Sequence, residues 1–402
     1  VAGALADLRV LDCSRVLAGP WAGQILADLG ADVIKVERPG TGDDTRHWGP
    51  PFLPETGEAA YYLCANRGKR SLTVDFSTPE GGDIVRRLAA QSDVFLENHK
   101  VGDLARYGLD YERLRDINPR LVYCSITGFG QSGPYAGRTG YDFAIQALGG
   151  LMSVTGERDD RPGGGPQKVG VAVADVMAGL YAAVAVLACV AQRERSGRGQ
   201  HIDLALLDVQ VAALANVALN YLVSGAVPAR WGNAHPNIVP YQVLPTADRP
   251  IVLAVGNDEQ FRKFCAVAGA PSLASDARYA TNAGRVDHRE ALTAELERLL
   301  ATRPAAAWLA ALEPAGVPCA PINDVAQVFA DPQVRQRGIR LDLPHPSGGT
   351  VPLVASPFHL SETPIRYDAP PPLLGQHTDE ILRDRLGYTP AAIAELRRRG
   401  VV

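Results

Sequence analysis

Along the N-terminal third of the chain, short apolar runs alternate with longer stretches whose apolar residues recur every three or four positions. Leu8-Arg9-Val10-Leu11-Asp12 reads as a buried strand, and Pro20 then opens a helical run (Trp21, Ile25, Leu26, Leu29) that Gly30 stops. Ala31 to Glu37 gives a second strand and Ser71 to Asp75 a third. Thr78-Pro79 starts another helix, with Thr78 as N-cap and Pro79 at the first helical position. Asp93 to Asn98 and Leu121 to Ile126 are further β-rich runs. Strands spaced by helical stretches indicate βαβ units and a parallel sheet. In such sheets ligands bind beyond the C-terminal strand ends, here the segments after Asp12, Glu37, Asp75 and Asn98.

Further on, Gly156 to Gly170 forms a loop rich in glycine, proline and charge, and Val169 to Ala191 a long Ala-rich apolar helix, ending near Arg193-Glu194-Arg195 and the turn Ser196-Gly197-Arg198-Gly199. A different texture begins around Arg230, with a strand at Ile251 to Val255, and beyond Asp331 the chain turns extended and Pro-rich before two short helices close it. The expected domains are 1–224, a smaller one at 225–325, and a C-terminal part at 326–402.

With 402 residues, two domains are expected. Forty Lys+Arg against 44 Asp+Glu leave a net charge of −4, so there is no basic field for nucleic acid or an anionic membrane. The six cysteines (Cys13, Cys64, Cys124, Cys189, Cys265, Cys319) show no CxxC spacing, and no His/Cys grouping has metal-ligand spacing. The long apolar helix approaches the length of a membrane span, but Asp175 interrupts it, which favours a buried helix. No secretion signal is evident, and a cytoplasmic location is expected.

Two constellations carry candidate chemistry. The opening strand–turn–helix resembles a dinucleotide unit, yet its turn, Ser14-Arg15-Val16-Leu17-Ala18-Gly19-Pro20, lacks the G-x-G-x-x-G that lets a backbone approach a pyrophosphate. Arg38, directly after the second strand, suits an isolated ribose phosphate, as in NADP or the 3′-phosphate of coenzyme A; an ordinary solvated arginine is the other reading. Asp175 is the sharper candidate, with no charged residue between Lys168 and Arg193. It reads either as a helix N-cap or as a poorly hydrated carboxylate able to attack a carbonyl carbon, and the two roles are compatible. No G-x-S-x-G elbow or zinc-type histidine pair is present.

Taken in order, several segments resemble the class III coenzyme A transferase family, which includes formyl-CoA transferase, carnitine CoA-transferase and α-methylacyl-CoA racemase. The marks are Arg9-Val10-Leu11-Asp12 with Ala18-Gly19-Pro20, Gly30 to Arg38 with Gly42-Asp43-Asp44-Thr45-Arg46, Asn66 to Ser71, Glu97-Asn98, Gly140-Tyr141-Asp142, Asp175-Val176 with Gly179-Leu180-Tyr181, Gly197 to Gln200, and Leu373 to Thr378. The resemblance implies an α/β fold: a Rossmann-like large domain built from both chain ends, a smaller α+β domain, and an interlocked homodimer. It implies that Asp175 is the covalent nucleophile and that coenzyme A, a substrate rather than a prosthetic group, meets Leu17, Ala18, Arg38, Val74, Asp75, Asn98, His99, Lys100, Arg106, Tyr141 and Asp142. No metal is expected.

Two departures refine this. Family racemases carry histidine where this chain has Tyr141, and a phenol is a poor base at neutral pH, which favours transferase over racemase; a CoA-binding protein without catalysis is the non-enzyme alternative. The glycine-rich loop of formyl-CoA transferase has no counterpart between 225 and 325. The loop Arg230 to Pro236 looks instead like that of members handling dicarboxylates such as succinate. Arg15, Arg46 and His235 are the candidates for holding a second carboxylate.

Overall fold

The five apolar runs of the N-terminal third lie side by side in one sheet. They are β1 (Arg9–Asp12), β2 (Asp32–Glu37), β3 (Lys69–Thr73), β4 (Val94–Glu97) and β5 (Val122–Thr127), joined by an unanticipated β6 (His201–Ala205). The order is β3-β2-β1-β4-β5-β6, and every pair is parallel. β6 escaped the pattern because it is an edge strand, with His201 and Asp203 alternating with apolar residues and only Ala205 fully buried.

The computed structural model describes residues 2–54 and 56–402. They separate into unit 1 (Val1–Leu151, Val169–Leu219, Pro332–Val402) and unit 2 (Met152–Lys168, Asn220–Asp331). The loop placed in the first domain by sequence therefore goes largely to unit 2. There Arg230 Nε donates to Glu157 O at 3.2 Å, and Arg158 pairs with Glu290.

In unit 1 alternate strand residues feed two cores, as the two-residue period of a sheet requires. Leu11, Ile34, Leu72, Phe95 and Tyr123 pack on one face, against Ile84, Val85 and Leu88 of α2 (Pro79–Ala89) and the C-terminal Ile381, Leu382, Ile393 and Leu396. Both chain ends thus build this unit, and Asp75 N–H donates to Val401 O at 2.8 Å. On the other face Val10, Val33, Val94, Leu96 and Val122 meet α1 (Ala18–Asp28) and the long helix, which runs Val173–Ser196.

The long helix passes a length-and-composition test for a membrane span. Within unit 1, however, Ala174, Ala178, Ala182 and Val186 form a buried small-residue seam against Ala18 and Ala22 of α1. A Cβ on Gly179 would lie 2.6 Å from the Ala18 carbonyl oxygen, so this close crossing needs glycine. A two-stranded hairpin (Arg340–Pro344, Thr350–Val354) completes unit 1. Unit 2 carries a three-stranded sheet of β7 (Tyr241–Leu244), β8 (Ile251–Ala254) and β9 (Cys319–Pro321), with a core around Phe261, Phe264, Leu296 and Trp308.

Chain order along the large sheet reverses between β1 and β4. The segments leaving their C-terminal ends diverge there and open a crevice, the position where open α/β sheets bind ligands.

Candidate active site

Two adjoining cavities occupy that crevice in unit 1. The first, about 110 Å³, is lined by Arg15, Leu17, Ala18, Asn98, His99, Lys100, Arg138, Tyr141 and Asp175 among others. The second, about 430 Å³, is lined by Arg38, Val74, Asp75, Phe76, Arg106 and Tyr107 among others, and shares Arg15 and His99 with the first. Segments separated widely in sequence thus converge into a two-lobed groove.

The turn after β1 is the hinge of this site. Val16 has φ +70°, in the left-handed region that a β-branched side chain enters only under strain. Its neighbours hold it there. Asn98 Oδ1 accepts the Arg15 N–H at 2.9 Å while Asn98 Nδ2 donates to Arg15 O at 2.6 Å, and both Asp43 carboxylate oxygens take the Val16 N–H at 3.2 Å. Lys35 Nζ bridges Ser14 O (2.9 Å) and Asp43 Oδ2 (2.8 Å) from beneath. This clamp aims the N-terminus of α1, whose first N–H groups lack intrahelical acceptors, into the first cavity.

Asp175 lies in the first turn of the Val173–Ser196 helix, in the third helical position rather than at the cap. The N-cap is Ala172, which has no capping side chain; instead Asp142 Oδ1 accepts the Ala174 N–H at 2.8 Å, from the adjacent helix α3 (Asp142–Leu148). Asp142 Oδ2 also takes Gln146 Nε2 at 2.8 Å, and Gln146 Oε1 takes the Val169 N–H at 2.9 Å. The capping function is thereby discharged by other residues. The Asp175 carboxylate has no hydrogen-bond or ion-pair partner among the described residues, and burial, followed by the nearby Asp142 charge, pushes its pKa up to about 7. A half-buried carboxylate facing a cavity beside two helix N-termini is poorly solvated when ionised, which raises its nucleophilicity.

Of the residues expected to meet coenzyme A, Leu17, Ala18, Asn98, His99, Lys100 and Tyr141 line the Asp175 cavity, and Arg38, Val74, Asp75 and Arg106 line the other. Arg38 is exposed and has no acidic partner among the described residues, as a phosphate-binding cation should be. Phe76 packs edge-on to both His99 (5.7 Å) and Tyr107 (5.6 Å), giving this lobe an aromatic wall. Beneath the groove, burial raises Glu97 to about 7 while its Oε2 accepts the His99 N–H at 2.8 Å.

Two expected residues of unit 1 are absent from the lining of both cavities, and a third belongs to unit 2. Asp142 lines neither cavity; it is the amide acceptor just described. Arg46 is buried, and each of its three nitrogens is engaged, by Glu37 (2.9 and 2.8 Å), Glu58 (3.1 Å), Tyr62 Oη (2.6 Å) and Pro372 O (3.1 Å), so it serves the fold and is not presented to a substrate carboxylate. His235 belongs to unit 2, where its Nδ1 accepts the Asn237 N–H at 3.0 Å and its ring meets Tyr241 edge-on; there it organises its own loop. Arg15 does line both cavities, and it is paired with Asp44 at 3.1 Å.

Sequence reasoning missed Val16, Thr127, Gly128 and Arg138 in the Asp175 cavity. Gly128 and Gly140 carried the available signal. A Cβ on either would lie 2.6 Å from the other's Cα, so this pair lets the 136–141 loop press onto the end of β5.

The chain matches a family model described as CoA-transferase family III over residues 5–378. It is 53% identical over 389 residues to a succinate–glutarate CoA-transferase of Agrobacterium fabrum, covering 94% of this chain and 95% of that protein. It is 44% identical over 398 residues to a succinyl-CoA:glutarate CoA-transferase of Homo sapiens, covering 99% and 90%. Among solved structures, a CaiB/BaiF-family protein from Brucella suis superposes with a TM-score of 0.84 at 51% identity, covering 96% of this chain and all of that one.

Proposed function

Since the chain belongs to CoA-transferase family III, we propose that it exchanges coenzyme A between dicarboxylic acids, with succinyl-CoA and glutarate as the first pair to test, through a covalent intermediate on Asp175. The observation that carries this reading is the Asp175 carboxylate, without a hydrogen-bond or ion-pair partner among the described residues, facing a cavity that adjoins a larger cation-bearing one. The names of the relatives from Agrobacterium fabrum and Homo sapiens supply the pair of acids.

The steps balance without a cofactor. The Asp175 carboxylate attacks the thioester carbonyl of the donor, the C–S bond breaks, and a mixed anhydride and CoA thiolate result. The thiolate then attacks the Asp175 carbonyl carbon, releasing the donor acid and leaving an aspartyl–CoA thioester. The acceptor carboxylate attacks that thioester and expels the thiolate, which finally takes the acceptor's acyl carbon and returns Asp175 as carboxylate. Each stage trades one acyl bond for another, so the barrier divides into smaller ones. The helix N-termini at Ala18 and Val173 favour the negative charge that develops on oxygen and sulfur.

A homodimer belongs to the same proposal. Phe143, Leu148, Val171, Leu180, Tyr181 and Val184 of unit 1 are all exposed in the single chain, a concentration of apolar surface that a second copy would cover. Light scattering giving twice the monomer mass supports this; the monomer mass counts against it.

The decisive test incubates the full chain with acyl-CoAs, adds hydroxylamine and maps adducts by mass spectrometry. A hydroxamate at Asp175 is expected, and Asp175→Ala should abolish exchange while binding CoA nearly normally. Exchange persisting in that variant overturns the assignment.

A further inference from the structure

We infer that Arg138 is the residue that selects dicarboxylates, binding the distal carboxylate of the four- or five-carbon chain whose other end is joined to Asp175. This rests on the Asp175 reading above and names the specificity determinant of the same site.

Three cationic side chains other than histidine line the Asp175 cavity: Arg15, Lys100 and Arg138. Arg15 is paired with Asp44. Neither Lys100 nor Arg138 has a side-chain hydrogen bond or an acidic partner among the described residues, so these two cations await an anion. Their positions differ. Both line the Asp175 lobe and not the larger one, but Lys100 directly follows His99, which lines both lobes, and so stands on the side where the two lobes meet. Arg138 stands apart from that junction, on the loop that the Gly128–Gly140 contact presses onto β5.

What holds Arg138 there is aromatic. Its guanidinium carbon lies 4.5 Å from the Tyr135 ring centroid and 5.3 Å from that of Phe129, and the two rings meet edge-to-face at 5.6 Å. A cation–π seat orients the plane of the fork but consumes none of its five N–H donors. Those donors match a carboxylate bidentately, which a lysine ammonium does not. A guanidinium held by ring faces alone can also shift across them. One seat therefore accommodates distal carboxylates of succinyl and glutaryl chains, which differ by a single methylene.

The test compares succinyl-CoA with butyryl-CoA, which has the same chain length and no distal charge. Steady-state kcat/KM for exchange and hydroxylamine trapping at Asp175 are measured for the wild type, Arg138→Gln and Lys100→Gln. The wild type should prefer succinyl-CoA, and Arg138→Gln should lower the succinyl-to-butyryl ratio about 30-fold, the scale of a charge-assisted bidentate contact. Lys100→Gln should weaken both substrates together and keep the ratio within about threefold. A wild type without preference, or an Arg138→Gln ratio unchanged within threefold, overturns the inference. Absence of any Asp175 adduct in the wild type overturns the nucleophile reading instead, and the steady-state ratio still judges Arg138.

Discussion

Two neighbouring regions of unit 1 bury charge in opposite ways. Under the turn after β1, Asp12, Lys35, Asp43 and Lys69 are almost fully enclosed, yet every one is matched: Lys69 Nζ reaches Asp12 (2.9 Å), Pro20 O (2.8 Å) and Asn66 (3.0 Å), while Lys35 reaches Asp43 and Ser14 O. Burial pushes the Asp12 and Asp43 carboxyls up, but the lysine charges together with hydrogen bonds from the lysines, Ser14 and Thr45 more than reverse it, leaving both lowered and Asp43 at about 2. In the cavity that this turn lines, Asp175 has the burial without the lysine and rises to about 7. The same residue type serves as scaffold in one place and as reagent in the other, and the difference is whether a counter-charge is built in.

Breaking the scaffold should have the largest effect. Lys69→Met leaves Asp12 buried without its direct counter-ion and should cost about 3–5 kcal/mol of stability, read from a urea unfolding midpoint. The double variant Asp12→Asn/Lys69→Met should recover most of that loss. A single variant within about 1 kcal/mol of wild type would mean that the pair is not what holds this floor.

The Asp175 side of the comparison is sharpened by pH. Only the ionised carboxylate attacks, so kcat/KM for an acyl-CoA should rise about tenfold per pH unit below 7 and level off above it. A plateau already reached at pH 5 would show that Asp175 titrates like an ordinary exposed aspartate.

Stability carries the same signature with opposite sign. A carboxyl raised from 3.8 to about 7 in the folded state binds its proton more tightly there than in the unfolded chain. It therefore costs nothing below pH 3.8, and its penalty grows from there and is complete above 7. Asp175→Asn should stabilise the protein at pH 8 by about 1–3 kcal/mol, allowing for solvent screening, and by close to nothing at pH 4. Parallel denaturation curves at the two pH values check this.

The smallest effect is at the clamp. Val16→Gly removes the penalty of a positive φ and should leave stability within about 1 kcal/mol of wild type, relief of strain offsetting added chain entropy. Exchange should slow nonetheless, because the α1 N-terminus loses its fixed aim; unchanged kcat would separate the strained turn from the chemistry.

The strands β1 to β5, the Thr78 cap of α2 and the isolation of Asp175 were legible in the sequence because each depends on residues close together in the chain. Periodicity, capping and an unaccompanied charge are local properties. Thr78 Oγ1 does accept the Gly81 N–H, at 3.1 Å. The family, too, was legible, since its marks are ordered local segments.

Partner choice was decided only in three dimensions. Arg46 looks like a free anion binder in its motif, and only folding brings Pro372 O to it across 326 residues. Asp142 looks like a ligand contact until Ala174 N–H, 32 residues on, is found on its oxygen. Arg138 is unremarkable in sequence and becomes a candidate because Tyr135 and Phe129 hold it in the Asp175 cavity without neutralising it. Burial and counter-charge set what an ionisable group can do, and both are properties of the packed neighbourhood, which a linear string of residues does not contain.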